Sequence, residues 1–146
     1  MIASAMSWSR EVARVLVIDD DTMFLALMKR ALEQRGHFVH AVADAKDARA
    51  ALSEDYAAMV CDIVLPAESG LHLMRDMRAA HPKMGIVAIS GGVGNKGRAA
   101  IDVLHMAQVT SAHAVVKKPF EMPAFVKTVE TVLTAMRGTD ATRQVS

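Results

Sequence analysis

The stretch Val15–Asp21 constrains this chain most, because four apolar residues run directly into three consecutive carboxylates. A short apolar run rich in β-branched residues predicts a strand buried on both faces, as in a parallel sheet covered by helices. The acids then follow the carboxyl end of the strand, where open α/β sheets bind ligands. Two carboxylates about 4 Å apart repel by roughly 4 kcal/mol at an effective dielectric near 20, so we expect a cation nearby. Alternatively, one acid caps the next helix and the others are solvated.

Length and composition limit the classes of protein that remain. A chain of 146 residues, 52% of them hydrophobic, predicts one domain with a full core. The 17 basic and 16 acidic residues are nearly balanced, which does not favour binding to nucleic acid or to an anionic membrane. Cys61 is the single cysteine, so no intrachain disulfide can form, and we expect a cytoplasmic protein. Residues 1–14 lack the pattern of a signal peptide or a membrane span, so no membrane insertion is expected.

Strand and helix patterns alternate along the rest of the chain. The predicted strands are Val15–Ile18, Phe38–Val42, Ala58–Asp62, Ile86–Ser90 and Ala114–Lys117. The predicted helices are Thr22–Gln34, Ala45–Ser53, Gly70–Ala80, about Arg98–Gln108, and Met122–Met136. This alternation predicts an α/β fold, a doubly wound five-stranded parallel sheet with five flanking helices. A flexible arm over residues 1–13 and a disordered tail over 138–146 are expected at the ends.

Polar residues end four of the five predicted strands. Asp19 and Asp20 follow the first strand, and the third, fourth and fifth strands end in Asp62, Ser90 and Lys118. The carboxyl ends of parallel strands share one edge of a sheet, so acids, a hydroxyl and an ammonium can meet there.

Four motifs in order, VLVIDDD, VCDIVLP, AIS and KKPF, resemble the response-regulator receiver domain of two-component signalling. The resemblance spans roughly Arg14 to Met136, so residues 14–137 are assigned to that domain, and it implies the flavodoxin-like strand order 2-1-3-4-5. It also implies that Asp62 is the phospho-acceptor, that the hydroxyl of Ser90 contacts the phosphoryl group, and that Lys118 is the charge partner. The magnesium site that it implies consists of Asp19, Asp20 and Asp62 with the backbone carbonyl of Val64. Oxygen ligands of this kind suit Mg²⁺.

The resemblance implies that the protein is a phospho-acceptor signalling module. It would not be an enzyme, since the only reactions it would catalyse are its own phosphorylation and dephosphorylation. Asp62 would take a phosphoryl group from a sensor histidine kinase or a histidine phosphotransfer protein. We expect no output domain after Met136, so the output of a stand-alone receiver would be a contact with a downstream protein or onward relay. A cis Lys118–Pro119 peptide is also expected from the resemblance.

Two features depart from the family pattern. The position three before the lysine is usually aromatic and here is Val115, so we expect a weaker or different conformational change on phosphorylation. The segment between Ser90 and Lys118 is also several residues longer than in common receiver domains. Its glycines at 91, 92, 94 and 97 suggest a mobile loop over the site.

Two other functions remain as alternatives. Gly92–Gly97 matches the G-x-G-x-x-G pattern of dinucleotide-binding domains, but the next strand ends in lysines instead of the acid that binds ribose. An aspartate-nucleophile, Mg²⁺-dependent phosphatase would also combine acids, a hydroxyl and a lysine at strand ends. In that enzyme class Asp62 would be superfluous.

Overall fold

Five short parallel strands form one sheet in a computed structural model of the chain, which describes residues 12–91 and 111–145, with side chains as far as residue 138. The strands are β1 (Arg14–Ile18), β2 (Phe38–Val42), β3 (Ala58–Asp62), β4 (Gly85–Ser90) and β5 (Ala114–Lys117). Their order across the sheet is β2-β1-β3-β4-β5, and every neighbouring pair is parallel. The predicted fold class and strand order are therefore confirmed.

Four helices flank the sheet within the described residues. They are α1 (Thr22–Glu33), α2 (Ala45–Ala51), α3 (Gly70–Ala80) and α4 (Met122–Val145). The fourth predicted helix, about Arg98–Gln108, lies outside the described residues, as do Gly92–Gly97 and most of the N-terminal arm. Within residues 12–91 and 111–145, none of the helices combines the length and the apolar character needed to cross a membrane.

The last helix corrects the predicted C-terminal boundary. It continues past Met136 to Val145, across most of the segment that was predicted as a disordered tail. Gly138 lies within this helix, and a glycine inside a helix costs only about 1 kcal/mol relative to alanine. No proline follows it to end the helix.

Apolar side chains form a core on each face of the sheet. Val15 and Val17 face α1 and α4, where Met28 and Phe125 are fully buried. Leu16 and Ile18 face the opposite layer, in which Ala48 of α2 and Leu73 and Met74 of α3 are fully buried. Since both faces of β1 are covered, the strand is apolar throughout instead of alternating with polar residues.

Polar side chains set the beginnings of three helices. Asp21 caps α1 by accepting the N–H of Phe24 at 3.1 Å. Asp44 and Ser69 cap α2 and α3 in the same way. One of the three consecutive acids is thus a helix cap, whereas Asp19 is fully buried and Asp20 is exposed.

Candidate functional site

Three carboxylates meet at the carboxyl edge of the sheet. Asp19 follows β1 and Asp62 ends β3, the neighbouring strand, so the sheet itself brings them together. One carboxylate oxygen from each of Asp19, Asp20 and Asp62 lies within 4.8 Å of the others. Asp19 and Asp62 are buried, and Asp20 opens the cluster to solvent.

Lys118 supplies the cation that these acids require. Its Nζ lies 3.3 Å from Oδ2 of Asp19 and 3.2 Å from Oδ2 of Asp62, and its side chain is 20% exposed. Lys117, the other lysine at this end of β5, is exposed. The Lys118–Pro119 peptide is cis, as predicted.

The loop that follows β3 fixes the carboxylate of Asp62. Oδ1 accepts the N–H of Val64 at 3.0 Å, while Oδ2 faces Lys118, so each oxygen has its own donor. The N–H of Ile63 continues the sheet by donating to the carbonyl of Ile89 at 3.0 Å. The side chain of Val64 is 68% exposed, and the predicted role of its carbonyl as a metal ligand stays a prediction.

Ser90 and Gly91 form the next side of the site. Ser90 is 5% exposed and ends β4, and its carbonyl accepts the N–H of Lys118 at 2.8 Å. Gly91 has φ +95°, and an added Cβ would lie 3.2 Å from the carbonyl oxygen of Lys118. Glycine is therefore required here by backbone conformation as well as by space.

Burial disfavours the charged forms of Asp19 and Lys118, and neighbouring groups of opposite charge favour them. Burial raises the pKa of Asp19 above its usual value, although the N–H of Asp21 and the ammonium of Lys118 oppose this change. Burial lowers the pKa of Lys118, but attraction to Asp62 and Asp19 outweighs that effect and raises it. The lysine is thus held as a cation beside acids that need one.

Phe24 is a site residue that sequence reasoning missed. Its ring centroid lies 4.6 Å from Nζ of Lys118. In the sequence it was one of several apolar residues at helical spacing on α1. The available signal was an aromatic residue in the first helical turn after the acids, where a side chain stays close to the strand end.

A second group of acids is paired with an arginine of α2. Arg49 of α2 binds the carboxylates of Glu68 and Asp76, the latter at 2.9 Å, and His72 lies between them. A guanidinium held by both carboxylates makes this an ion-pair network between α2 and α3.

The donors at the sheet edge fit Mg²⁺. Asp19, Asp20 and Asp62 offer only carboxylate oxygens, which a hard divalent cation prefers, and no thiolate or imidazole belongs to this cluster. The exposed position of Asp20 leaves one side open to solvent, which suits an ion that keeps several waters.

A 2-1-3-4-5 doubly wound sheet whose carboxyl edge carries clustered acids beside a lysine is suited to holding a divalent cation and a phosphoryl group. The family model described as the response regulator receiver domain matches residues 15–130, and the chain belongs to that family. It is therefore a phospho-acceptor module of two-component signalling.

Individual relatives support the same assignment. The transcriptional regulatory protein TcrA of Mycobacterium tuberculosis is 41% identical over 66 residues, which cover 44% of this chain and 26% of TcrA. A crystal structure of NtrX from Brucella abortus gives a TM-score of 0.82 at 26% identity, over 93% of this chain and 30% of that one. The chemotaxis response regulator CheY4 of Vibrio cholerae shares the fold, with a TM-score of 0.70 at 19% identity over 84% of this chain and 99% of that one. The chain thus spans about a third or less of the lengths of TcrA and NtrX.

Proposed function

We propose that Asp62 is the phospho-acceptor and that it receives a phosphoryl group from a sensor histidine kinase or a histidine phosphotransfer protein. The observation that carries this assignment is the position of the Lys118 ammonium, 3.2 Å from Asp62 and 3.3 Å from Asp19. A lysine between two acids can transfer its contact to phosphoryl oxygens once one acid is modified.

In the proposed step, one carboxylate oxygen of Asp62 attacks phosphorus. A new oxygen–phosphorus bond forms, the bond to the donor histidine nitrogen breaks, and that nitrogen keeps the electron pair. The product is an acyl phosphate on Asp62, and the donor imidazole leaves neutral because the other nitrogen of its phosphorylated ring carries a proton during the transfer. The Val64 N–H and the Lys118 ammonium hold the carboxylate in place before the attack.

Phosphoryl transfer depends mainly on positioning and on neutralising the equatorial oxygens. Asp19, Asp20 and Asp62, with the carbonyl of Val64, would hold Mg²⁺, which supplies positive charge to those oxygens when it is bound. Lys118 supplies a second cation from the side of β5. The hydroxyl of Ser90, at the end of the adjacent strand, would contact a phosphoryl oxygen, and Gly91 leaves space for the donor.

The partners that follow from this role are proteins. Upstream they are the phosphodonors named above, and downstream we propose a protein contact that changes with the state of Asp62. TcrA and DctD are named as transcriptional regulatory proteins, but the matched segments are 26% and 17% of their lengths. We place the module in the cytoplasm, where two-component kinases expose their phosphohistidine, and assign it no catalysis beyond its own phosphorylation and dephosphorylation.

Labelling with a small phosphodonor tests this function. The protein is incubated with acetyl phosphate and Mg²⁺, and the phosphoryl content per chain is measured by intact mass. We expect at most one phosphoryl group on each chain, short-lived, dependent on Mg²⁺ and lost in Asp62→Asn. Asp55→Asn is the matched control, because Asp55 is an exposed acid just before β3.

Two results would contradict the assignment. Labelling that persists in Asp62→Asn would place the acceptor elsewhere. Repeated turnover of varied phosphomonoesters would instead favour the aspartate-nucleophile phosphatase.

A further inference from the structure

The ammonium of Lys118 has a third neighbour besides its two carboxylates. Nζ lies over the ring of Phe24, 4.6 Å from the centroid. An ammonium has three N–H donors, and those pointing at Asp19 and Asp62 leave one side of the group facing the ring. The face of an aromatic ring carries negative potential and attracts a cation at this distance.

The ring of Phe24 is held in place by the ring of Phe120 and by packing against the core. The ring of Phe120, two residues after Lys118, packs edge-on against it at 5.1 Å between centroids. Phe120 is in turn stacked at 5.4 Å on Phe125 of α4, which is fully buried in the core. The contact with Phe120 therefore restricts the orientation of the Phe24 ring.

The backbone of Phe24 is tied to the same acids. Its N–H donates to the carboxylate of Asp21 at 3.1 Å, and the N–H of Asp21 donates to Oδ1 of Asp19 at 2.9 Å. The helix cap thus fixes the ring relative to Asp19, so carboxylate, ammonium and ring form one connected unit.

We propose that Phe24 is a positioning residue for Lys118 in the reaction at Asp62. The ring contact is independent of the state of Asp62. It therefore holds the ammonium in the cleft while the lysine exchanges carboxylate oxygens for phosphoryl oxygens. This inference rests on the phospho-acceptor function proposed above.

Graded changes of the ring test the proposal. Phe24→Leu keeps an apolar side chain but removes the π face, and Phe24→Tyr keeps the face. Fluorinated phenylalanines with one and then three ring fluorines at position 24 weaken the negative potential while nearly preserving shape. Leu32→Val is the control for lost stability, because Leu32 is fully buried on the same helix and is not among the contacts of Lys118.

Two readouts are measured on the full chain. The first is the initial rate of labelling by acetyl phosphate with Mg²⁺. The second is the NMR shift of the side-chain methylene next to Nζ of Lys118, recorded without Mg²⁺, which an overlying ring moves upfield. We expect Phe24→Leu to slow labelling about five-fold and to abolish the upfield shift. Tyrosine should preserve both, fluorination should reduce the rate stepwise, and Leu32→Val should change neither.

Labelling of the trifluorinated protein at the wild-type rate would show that the ring acts only by packing and would overturn the proposal. So would a Lys118 methylene shift that is the same in Phe24→Leu as in the wild type. Absence of any labelling in the wild type would instead overturn the phospho-acceptor function itself, and the role of the ring with it.

Discussion

Glu130 of α4 accepts a hydrogen bond from the buried ring of His37, with Nε2 and Oε2 2.9 Å apart. The other ring nitrogen, Nδ1, accepts the N–H of Ala13 at 3.1 Å, so the proton of the neutral ring is on Nε2. Arg35 holds the same carboxylate through two nitrogens, at 2.9 and 3.0 Å. A single carboxylate in the first half of α4 thus connects this helix to the residues that lead into the edge strand β2.

Removal of this carboxylate should destabilise the domain. Glu130→Ala leaves the buried Nε2–H of His37 without its acceptor, which costs about 1–3 kcal/mol in the free energy of unfolding. Glu130→Gln should lose less, since its amide oxygen can still accept from His37. Urea unfolding at neutral pH measures both.

The matched control is Glu54→Ala. Glu54 also pairs with an arginine, Arg14, at 2.6 Å, but the side chain of Glu54 is 65% exposed. An exposed pair contributes little, so this variant should unfold close to the wild type. Equal losses in Glu54→Ala and Glu130→Ala would contradict the importance of the His37 contact.

The absence of a side chain at Gly70 allows α3 to begin in close contact with the backbone of Asp62. A Cβ at residue 70 would lie 2.1 Å from the backbone oxygen of Asp62 and 2.9 Å from that of Ile63, and neither is a flexible side-chain end. We expect Gly70→Ala to lower the free energy of unfolding by about 1–3 kcal/mol, the usual cost of overpacking, and to slow labelling at Asp62 because the strand end must shift.

Gly138→Ala is the matched control for that change. Gly138 lies in α4, and an added Cβ there meets nothing within 4 Å. Alanine should therefore stabilise the helix by up to about 1 kcal/mol and leave labelling unchanged. Thermal unfolding of the two variants measures the contrast, and a Gly70→Ala protein as stable and as reactive as the wild type would refute it.

Sequence patterns were sufficient for the sheet and for the identity of the residues at its edge. β1 is followed directly by acids and β3 ends in one, and the alternation of strands and helices predicted a parallel sheet, whereas the order 2-1-3-4-5 was expected from the resemblance to receiver domains. The edge position of Asp19, Asp62, Ser90 and Lys118 followed from strand ends alone.

Contacts between residues that are far apart in the chain could not be predicted from the sequence. Phe24 and Lys118 are far apart in the chain, and no periodicity reports that a ring faces an ammonium. His37 and His113 each accept a backbone N–H through Nδ1, from Ala13 before β1 and from Ile86 in β4, and no sequence pattern indicates these contacts. The sequence did not predict that α4 continues to Val145, because Gly138 and the polar residues after it give no strong local signal for a helix.

His113 should make stability depend on pH. Its Nδ1 accepts the N–H of Ile86 at 3.0 Å, and partial burial, together with the charge of Arg78, lowers the pKa of the ring below 6.5. Between the folded and unfolded pKa values the unfolded chain binds more protons, so the free energy of unfolding falls as pH drops below about 6.5. Above that pH the ring is neutral in both states and this contribution is constant.

Urea unfolding of the wild type and of His113→Gln at about pH 7.5 and about pH 5.5 measures this effect. The wild type should lose more stability on acidification than the variant does, and the NMR titration midpoint of the His113 ring should lie below that of an unfolded peptide. A wild type and a variant with parallel pH profiles would contradict the assignment.

Val115 should limit how far activation spreads across the sheet. It is half-buried in β5 opposite Ala88 and packs against the layer formed by α2 and α3. A short β-branched side chain has a restricted χ1 and cannot swing between a buried and an exposed position as a long aromatic ring can. We therefore expect beryllofluoride with Mg²⁺, a phosphoryl mimic, to change backbone amide shifts near Asp62 and Ser90 strongly and those of β5 weakly. Val115→Tyr should enlarge the response of β5, and large shifts throughout β5 in the wild type would show that activation spreads without an aromatic residue.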